Sequence, residues 1–351
     1  MLKTKSRRSR KDGAVPDVNL YLDNNYLDMG AVIAAPYPFI IVISGRGGGK
    51  TYGSLRYCLE NHIKFLYLRR TKTILELITD NRYQPFKRIN YDTGRDIVAD
   101  YGRGIGSFKD NETGELIGYA AALSTISNIR GFDGSDIDLI IWDEFIPEPT
   151  ERATFNQLTA FYNAVETVGR NREFEGRPPV KCLLLSNSDL IYSDVISGLG
   201  IGETLYQMQT DGTEILEATP ELLLIMPQLE DFKADKAQTA LYRLTAGTAY
   251  ADIALENKFA IEDRQQIRRM DVRAMKPICA ISGIVFYKEK TGRRLYACTK
   301  YSGSPKQYEK TAADIKRFLR DQVAILRAYA GKRLMFENVD VQTRFKELLR
   351  G

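Results

Sequence analysis

Eight consecutive residues, Ser44-Gly45-Arg46-Gly47-Gly48-Gly49-Lys50-Thr51, have the composition of a phosphate cradle. Such a loop binds by aiming backbone N–H groups at phosphate oxygens. Side chains would block that approach, hence the glycines. Lys50 is spaced to reach the β and γ phosphates, and Thr51 to ligate magnesium through its hydroxyl. The pattern GxxxxGK[ST] has glycine where this chain has Ser44, a small residue that leaves Lys50 and Thr51 in place. Arg46, inside the loop, has three open readings: it folds over a nucleotide, faces a neighbouring subunit, or is merely solvated.

Three further groups carry chemistry. In DLIIWDEF, residues 138–145, four apolar residues deliver Asp143 at a strand's C-terminal end, where ligand sites of open α/β sheets lie. Asp143 would hold the magnesium shell and Glu144 would polarise an attacking water; two surface acids ending a strand is the plain alternative. In VKCLLLSNS, residues 180–188, Ser186 and Asn187 are polar groups for a γ-phosphate, or else an ordinary Asn-Ser turn. In VGRNRE, residues 168–173, the arginines either answer a helix C-terminal dipole or include an arginine finger, Arg170 or Arg172, for the next subunit of a ring.

These groups need a scaffold, and the apolar pattern supplies one. PFIIVIS before the loop is a strand buried on both faces, and KTYGSLRYCLEN after it is a helix. KFLYLR is a second strand, KTILELITDNRY a helix, and GSFKDNETGELIGYAAAL a hairpin turning at Asn111 to Gly114. TERATFNQLTAFYNAVETV is an amphipathic helix with Phe155, Leu158, Phe161, Val165 and Val168 on one face. The alternation predicts a mainly parallel sheet with helices on both faces. Residues 231–262 are helix-forming and read as a linker. Beyond them ICAISGIVFY, a KEKTG turn and RRLYACT predict a hairpin. KTAADIKRFLRDQVAILRAYAG predicts one helix, RLMF a short strand, and DVQTRFKELL a last helix: a separate α+β domain.

Composition narrows the class. The chain has 351 residues, room for about two domains. No apolar run approaches the ~20 residues of a membrane span, and the first residues lack the apolar core of a signal peptide. The four cysteines are far apart in apolar contexts and read as buried thiols; with one histidine, a His-based metal site or a Ser-His triad is not expected. Residues 1–11 hold six Lys/Arg and no acid. Residues 261–351 hold 21 Lys/Arg against 10 Asp/Glu, a net of +11, while 12–260 carry −12. A basic C-terminal part on an acidic body suggests a polyanionic partner held through phosphate contacts. Its candidates are residues 264–269, residues 288–294, Lys316, Arg317 and Arg320, and the hairpin around Lys109 is a further candidate to line a channel.

The motifs also resemble a family. IRGFDGSDIDLIIWDEF is similar to large-terminase ATPases. More closely, SGRGGGKTYG, YLRRTK, WDEFI, VETVGRNRE, LLLSN and LTAGTAYADIALENKF resemble the DNA-encapsidation ATPases of small short-tailed phages, whose motor uses a packaging RNA. The resemblance covers residues 38–262 and continues faintly to RLMFEN. It implies an α/β P-loop NTPase of the additional-strand, catalytic-glutamate type, with a small C-terminal domain like a degenerate RNase-H-like nuclease. The domains would be a basic arm (1–20), the ATPase (21–230), a helical linker (231–262) and the basic C-terminal domain (263–351).

The resemblance further implies ATP and Mg²⁺ as cofactors. The loop, Ser186 and Asn187 would bind nucleotide, Thr51 and Asp143 the metal, and Lys50, Glu144 and a trans-acting Arg170 would serve catalysis. The partners it implies are double-stranded DNA, a portal vertex of a procapsid, a packaging RNA, and copies of the chain in a ring, as a pentamer, in the infected host's cytoplasm. Nuclease action needs carboxylates gathered around metal ions. The C-terminal candidates, Glu289 in the turn and Glu337 and Asp340 after the short strand, form no cluster in the sequence. A terminase with a working nuclease, and an ATP-switched nucleic-acid adaptor, are the competing readings.

Overall fold

A computed structural model describes residues 18–102, 104–129, 132–146, 155–187, 194–246, 248, 266–290 and 294–350. They fall into two compact units, one drawn from positions up to 260 and one from 261 onward, with residues 200–203 grouped with the second.

In the first unit, α1 (Met29–Ala34) leads into β1 (Phe39–Ser44), α2 (Lys50–Glu60), β2 (Phe65–Arg69), α3 (Lys72–Ile78) and α4 (Lys87–Thr93). Then come β3 (Ile97–Gly102), β4 (Ile105–Asp110), β5 (Leu116–Ala122), β6 (Leu139–Asp143), α5 (Gln157–Gly169) and β7 (Lys181–Asn187). Helices α6 (Asp194–Leu199) and α7 (Gly202–Asp211, of which Thr204 onward belongs to this unit), strands β8 (Ile215–Thr219) and β9 (Leu222–Ile225), and helices α8 (Glu230–Ala237) and α9 (Ala240–Leu244) follow. The nine strands form one sheet in the order β3-β4-β5-β2-β6-β7-β1-β9-β8. The six strands from β5 to β9 pair in parallel, and antiparallel β3, β4 and β8 close the edges.

The mainly parallel expectation holds, and the reason is visible in the burial of the central strands: β1, β2, β6 and β7 are apolar on both faces. Alternate residues serve opposite layers. Ile40, Val42, Leu139, Ile141, Leu183 and Leu185 join Val32, Leu55, Cys58, Leu75 and Ile89 of α1–α4 in one core. The intervening side chains face the other way, and there Trp142 meets Phe161 of α5 with ring centroids 5.0 Å apart.

Several expectations shift in detail. Helix α5 begins at Gln157, because Asn156 caps it by accepting from the Thr159 N–H at 3.0 Å. Phe155 therefore precedes the helix, and Ala164 rather than the half-buried Val165 completes the face of Leu158, Phe161 and Val168. Helix α3 stops at Ile78, where the Thr79 hydroxyl bonds back to the Leu75 carbonyl. Val18 and Leu20, at the end of the stretch read as a basic arm, are buried in the first unit's core. Residues 147–154 and 249–265 lie outside the described residues, and with them part of the predicted α5 segment and of the linker.

The second unit contains β10 (Met275–Ile281), β11 (Ile284–Glu289), β12 (Leu295–Cys298), β13 (Lys306–Tyr308), α10 (Ala312–Asp321), α11 (Val323–Ala330), β14 (Leu334–Phe336) and α12 (Val339–Arg350). Its sheet runs β13-β10-β11-β12-β14. ICAISGIVFY is itself a hairpin: Ser282 and Gly283 both take positive φ, 50° and 74°, and make the two-residue turn that a right-twisted pair favours. Glu289 consequently ends a strand, opposite Met275, instead of lying in the turn. The long helix breaks at Gln322 (φ −105°, ψ 40°), whose amide donates to the Tyr308 hydroxyl while Asp321 accepts from Lys306. Anchoring to β13 overrides helix propensity there.

Gly118 of β5 has no room for a side chain: a Cβ would lie 2.6–2.8 Å from three atoms of the Phe65 ring. That ring belongs to the Phe65–Phe86–Phe108 cluster beneath β2. Gly118→Val should cost about 1–3 kcal/mol by overpacking, read as a lower midpoint in urea unfolding. An unchanged midpoint would mean that this cluster is loosely packed.

Candidate active site

The ends of β6 and β7 and the loop that follows β1 line one cleft of about 1370 Å³, and the end of β2 lies behind its acids. The loop from β1 to α2 forms its floor. Gly47 (φ 91°) and Gly49 (φ 85°) occupy left-handed backbone that other residues rarely adopt. Lys50, 7 % exposed, folds back under the loop. Its ammonium donates to the carbonyls of Ser44 and Gly45 (3.1 Å each), to Ser44 Oγ (2.9 Å) and to Asn187 Oδ1 (3.3 Å). Ser44, the departure from the glycine pattern, is fully buried and is a direct partner of the lysine.

Asp143 ends β6 with 5 % exposure, and a carboxylate so buried must be paired. Its Oδ2 accepts from Thr51 Oγ1 at 2.8 Å, from the Tyr67 hydroxyl at 2.5 Å and from Arg69 Nη1 at 3.5 Å. Arg69 Nη2 also pairs with Glu144, whose side chain is half exposed and whose backbone holds φ 54°. Burial and the Asp143 charge push the Tyr67 hydroxyl well above its ordinary range. Burial works against the Arg69 charge, but Tyr67, Asp143 and Glu144 outweigh it and raise the guanidinium's pKa. Ser186 and Asn187 end β7 beside the loop; Ser186 Oγ accepts from the Ile146 N–H at 3.3 Å.

The structure thus brings together the whole loop, Asp143, Glu144, Ser186 and Asn187, all of which line the cleft or lie directly beneath it. Tyr67 and Arg69 were not read as site residues. The signal for them was a Tyr-x-Arg alternation at the C-terminal end of a buried strand, beside DLIIWDEF. The wall from Leu22 to Ala31 also escaped the sequence reading. Leu27 N–H donates to the Gly48 carbonyl at 3.2 Å, Tyr21 donates to Glu214, just before β8, and Tyr37 to Glu217 within it. Lys181 adds two 2.6 Å bonds to the carbonyls of Ile33 and Ala35.

The two arginines after α5 part company. Arg172 is buried, with Nη1 on the Ile137 carbonyl and Nη2 on Asp138, both at 2.7 Å. Arg170 is exposed, takes φ 40°, and rests on the Phe132 carbonyl at 2.6 Å. Asp138 precedes β6 and Asp143 ends it, so this arginine loop is fastened roughly 15 Å from the acids of its own cleft. Arg172→Ala should therefore destabilise the fold by about 1–3 kcal/mol by leaving a buried carbonyl unpaired, whereas Arg170→Ala should stay within about 0.5 kcal/mol. Equal losses in chemical denaturation would contradict this division.

A family model, the Podovirus DNA encapsidation protein (Gp16), matches residues 26–283. The "DNA packaging protein" of Bacillus phage phi29 is 27 % identical over 223 residues, 62 % of this chain and 61 % of that protein. Its counterpart in Bacillus phage B103 is 28 % identical over 227 residues, 62 % and 63 % of the two chains. The matched region spans about three fifths of the length of these relatives. Among solved structures, a chain of the bacteriophage Phi-29 viral genome packaging motor assembly aligns with a TM-score of 0.67 at 21 % identity, covering 93 % of this chain and 98 % of that one. A chain of the Phi-28 gp11 DNA packaging motor aligns at 0.61 and 16 %, covering 93 % and 97 %. At such identities the likeness shows the fold. The family match runs through the glycine loop, both acids and the arginine loop, and the chain belongs to the podovirus DNA encapsidation protein (Gp16) family.

Proposed function

We propose that this chain is an ATP-hydrolysing motor that moves double-stranded viral DNA into a procapsid through its portal vertex. The observation that carries the reading is the bond from Thr51 to Asp143, which joins the glycine loop to the acidic strand end in a member of a DNA-encapsidation family. The strand order supports the additional-strand type of P-loop NTPase, since β7 lies between β1, which feeds the loop, and β6, which carries the acids.

The Thr51 hydroxyl and Asp143 carboxylate are hard oxygen donors side by side, the kind of set magnesium takes. When bound, the ion would neutralise charge across the β and γ phosphates. The chain's own residues do the rest. The loop amides hold the polyphosphate, and Lys50 supplies a buried positive charge at its base. Asn187, already bonded to that ammonium, would sense what Lys50 touches. Glu144 would orient the attacking water, and Arg69 governs its position by sharing the same guanidinium with Asp143.

Arg170 would act in trans on a neighbouring copy in a ring, a pentamer by resemblance, docked at the vertex and its packaging RNA within the host cytoplasm. Its exposure supports this assignment over the buried Arg172, and the distance of the whole loop from the acids of its own cleft supports action in trans. Arg46, exposed on the loop, has its carbonyl held by Lys236. DNA would lie against the basic second unit, where Arg268, Arg269, Lys288, Arg294, Lys316, Arg317 and Arg320 are exposed, as is Lys109 of the first. Arg264 and Arg293 lie outside the described residues. We read this unit as a nuclease-like domain that no longer cuts: Glu337 is committed to the Thr299 N–H and hydroxyl, at 2.9 and 3.0 Å. Among the described residues no three His, Cys, Asp or Glu gather as a metal site, and no helix is long and apolar enough to cross a membrane.

Glu144→Gln should lower procapsid- and DNA-stimulated ATP turnover by about 100-fold or more while ATP still binds; near-normal turnover would overturn the role of Glu144. Mixing Arg170→Ala with Glu144→Gln subunits should restore part of the activity, because some interfaces then combine an intact acid with an intact arginine. Failure to complement at every ratio would rule out action in trans. Plasmid DNA should stay intact with the purified chain and Mg²⁺ or Mn²⁺; nicking would mean that the second unit is a working nuclease.

A further inference from the structure

The glycine loop is shaped from behind as well as from within the cleft. The Arg46 carbonyl accepts from Lys236 Nζ at 2.6 Å, a contact between residues 190 positions apart. Among the described residues no peptide is cis, and a trans peptide points its C=O and the following N–H in opposite directions. With the Arg46 carbonyl drawn toward α8, the Gly47 N–H is turned away from α8. Gly47 lines the cleft and Lys236 does not. Gly47 follows that peptide with φ 91°, a setting that glycine adopts without steric cost. One peptide further on, Leu27 N–H holds the Gly48 carbonyl at 3.2 Å, which turns the Gly49 N–H away from Leu27.

Helix α8 bears on the loop at both ends. Leu229, at its N-cap, sits in the left-handed region (φ 51°, ψ 41°), an uncommon setting for a leucine. Leu229 Cδ1 would lie 2.7 Å from a Cβ placed on Gly48. At the other end the Lys236 ammonium lies 5.1 Å above the Tyr242 ring, which keeps it aimed.

We propose that Lys236 is a positioning residue for the phosphate cradle: by holding the Arg46 carbonyl on the outer side of the loop, it turns the Gly47 N–H into the cleft to donate to a polyphosphate. This rests on the nucleotide-site reading above. The Lys236 side chain never touches the nucleotide; it acts through one peptide plane. Leu229 fixes the loop's distance from α8, and Lys236 fixes the peptide's rotation.

The test is ATP and ADP affinity of the full chain, measured by titration calorimetry, with Lys236→Met, Lys236→Arg and Lys50→Ala compared. Methionine keeps the stem and its packing on Tyr242 but cannot donate, so Lys236→Met should weaken both nucleotides about tenfold. Arginine can still donate to a carbonyl, and Lys236→Arg should bind within about twofold of the parent. Wild-type affinity in Lys236→Met would overturn the proposal. So would equal weakening in both variants with a lowered melting temperature, which would make Lys236 a packing residue only. Lys50→Ala tests the underlying reading separately: if it binds ATP as well as the parent, the nucleotide site itself is misassigned, and the proposal falls with it for that distinct reason.

Discussion

The site depends on the Asp143 carboxylate, an ionisable group sealed at the end of β6. A buried carboxylate is costly unless its oxygens are met by donors. Here the donors come from two other segments, Thr51 at the start of α2 and the Tyr67–Arg69 end of β2. Satisfying one charge therefore locks the glycine loop, the acidic strand and the second strand into one register. Glu144 is drawn into the same arrangement through Arg69, so both acids answer to a single guanidinium.

The parallel sheet makes such convergence possible. Because β1, β2, β6 and β7 run the same way, their polar C-terminal residues all emerge at one edge. The opposite edge carries a different group, the arginine loop after α5, fastened by Arg172 at the start of β6. A strand of five residues thus separates two chemical ends of one subunit. In the ring proposed above, that polarity would let each cleft be completed by the far edge of its neighbour.

Much of this was legible in the sequence, and the reasons differ from part to part. Buried parallel strands write themselves as unbroken apolar runs, so FIIVIS, LIIW and CLLLS were plain, and each points at its polar terminus. Asp143, Glu144, Ser186 and Asn187 stand out as candidates because they close or follow such runs, and Lys50 and Thr51 because a glycine loop links them to one. Tyr67 and Arg69 were harder, since an alternating tyrosine and arginine in a strand look like surface residues until β6 is known to lie beside them. Lys236 and Leu229 were invisible, because contacts across 190 residues leave no local pattern. The Ser282–Gly283 turn and the break at Gln322 were missed for opposite reasons. The first is a short turn within an apolar run; the second is imposed by β13, against good helix propensity.

The chain contains a single tryptophan, Trp142, immediately before Asp143. Its indole is fully buried between Phe145 and Phe161, with ring centroids 5.8 and 5.0 Å away. Excitation at the red edge of protein absorbance therefore addresses one location in the molecule, the last peptide before the acids. A shift in that emission would report the packing of β6 against α5 with no background from any other indole, so the protein carries an optical probe beside its candidate site without a dye or an added residue.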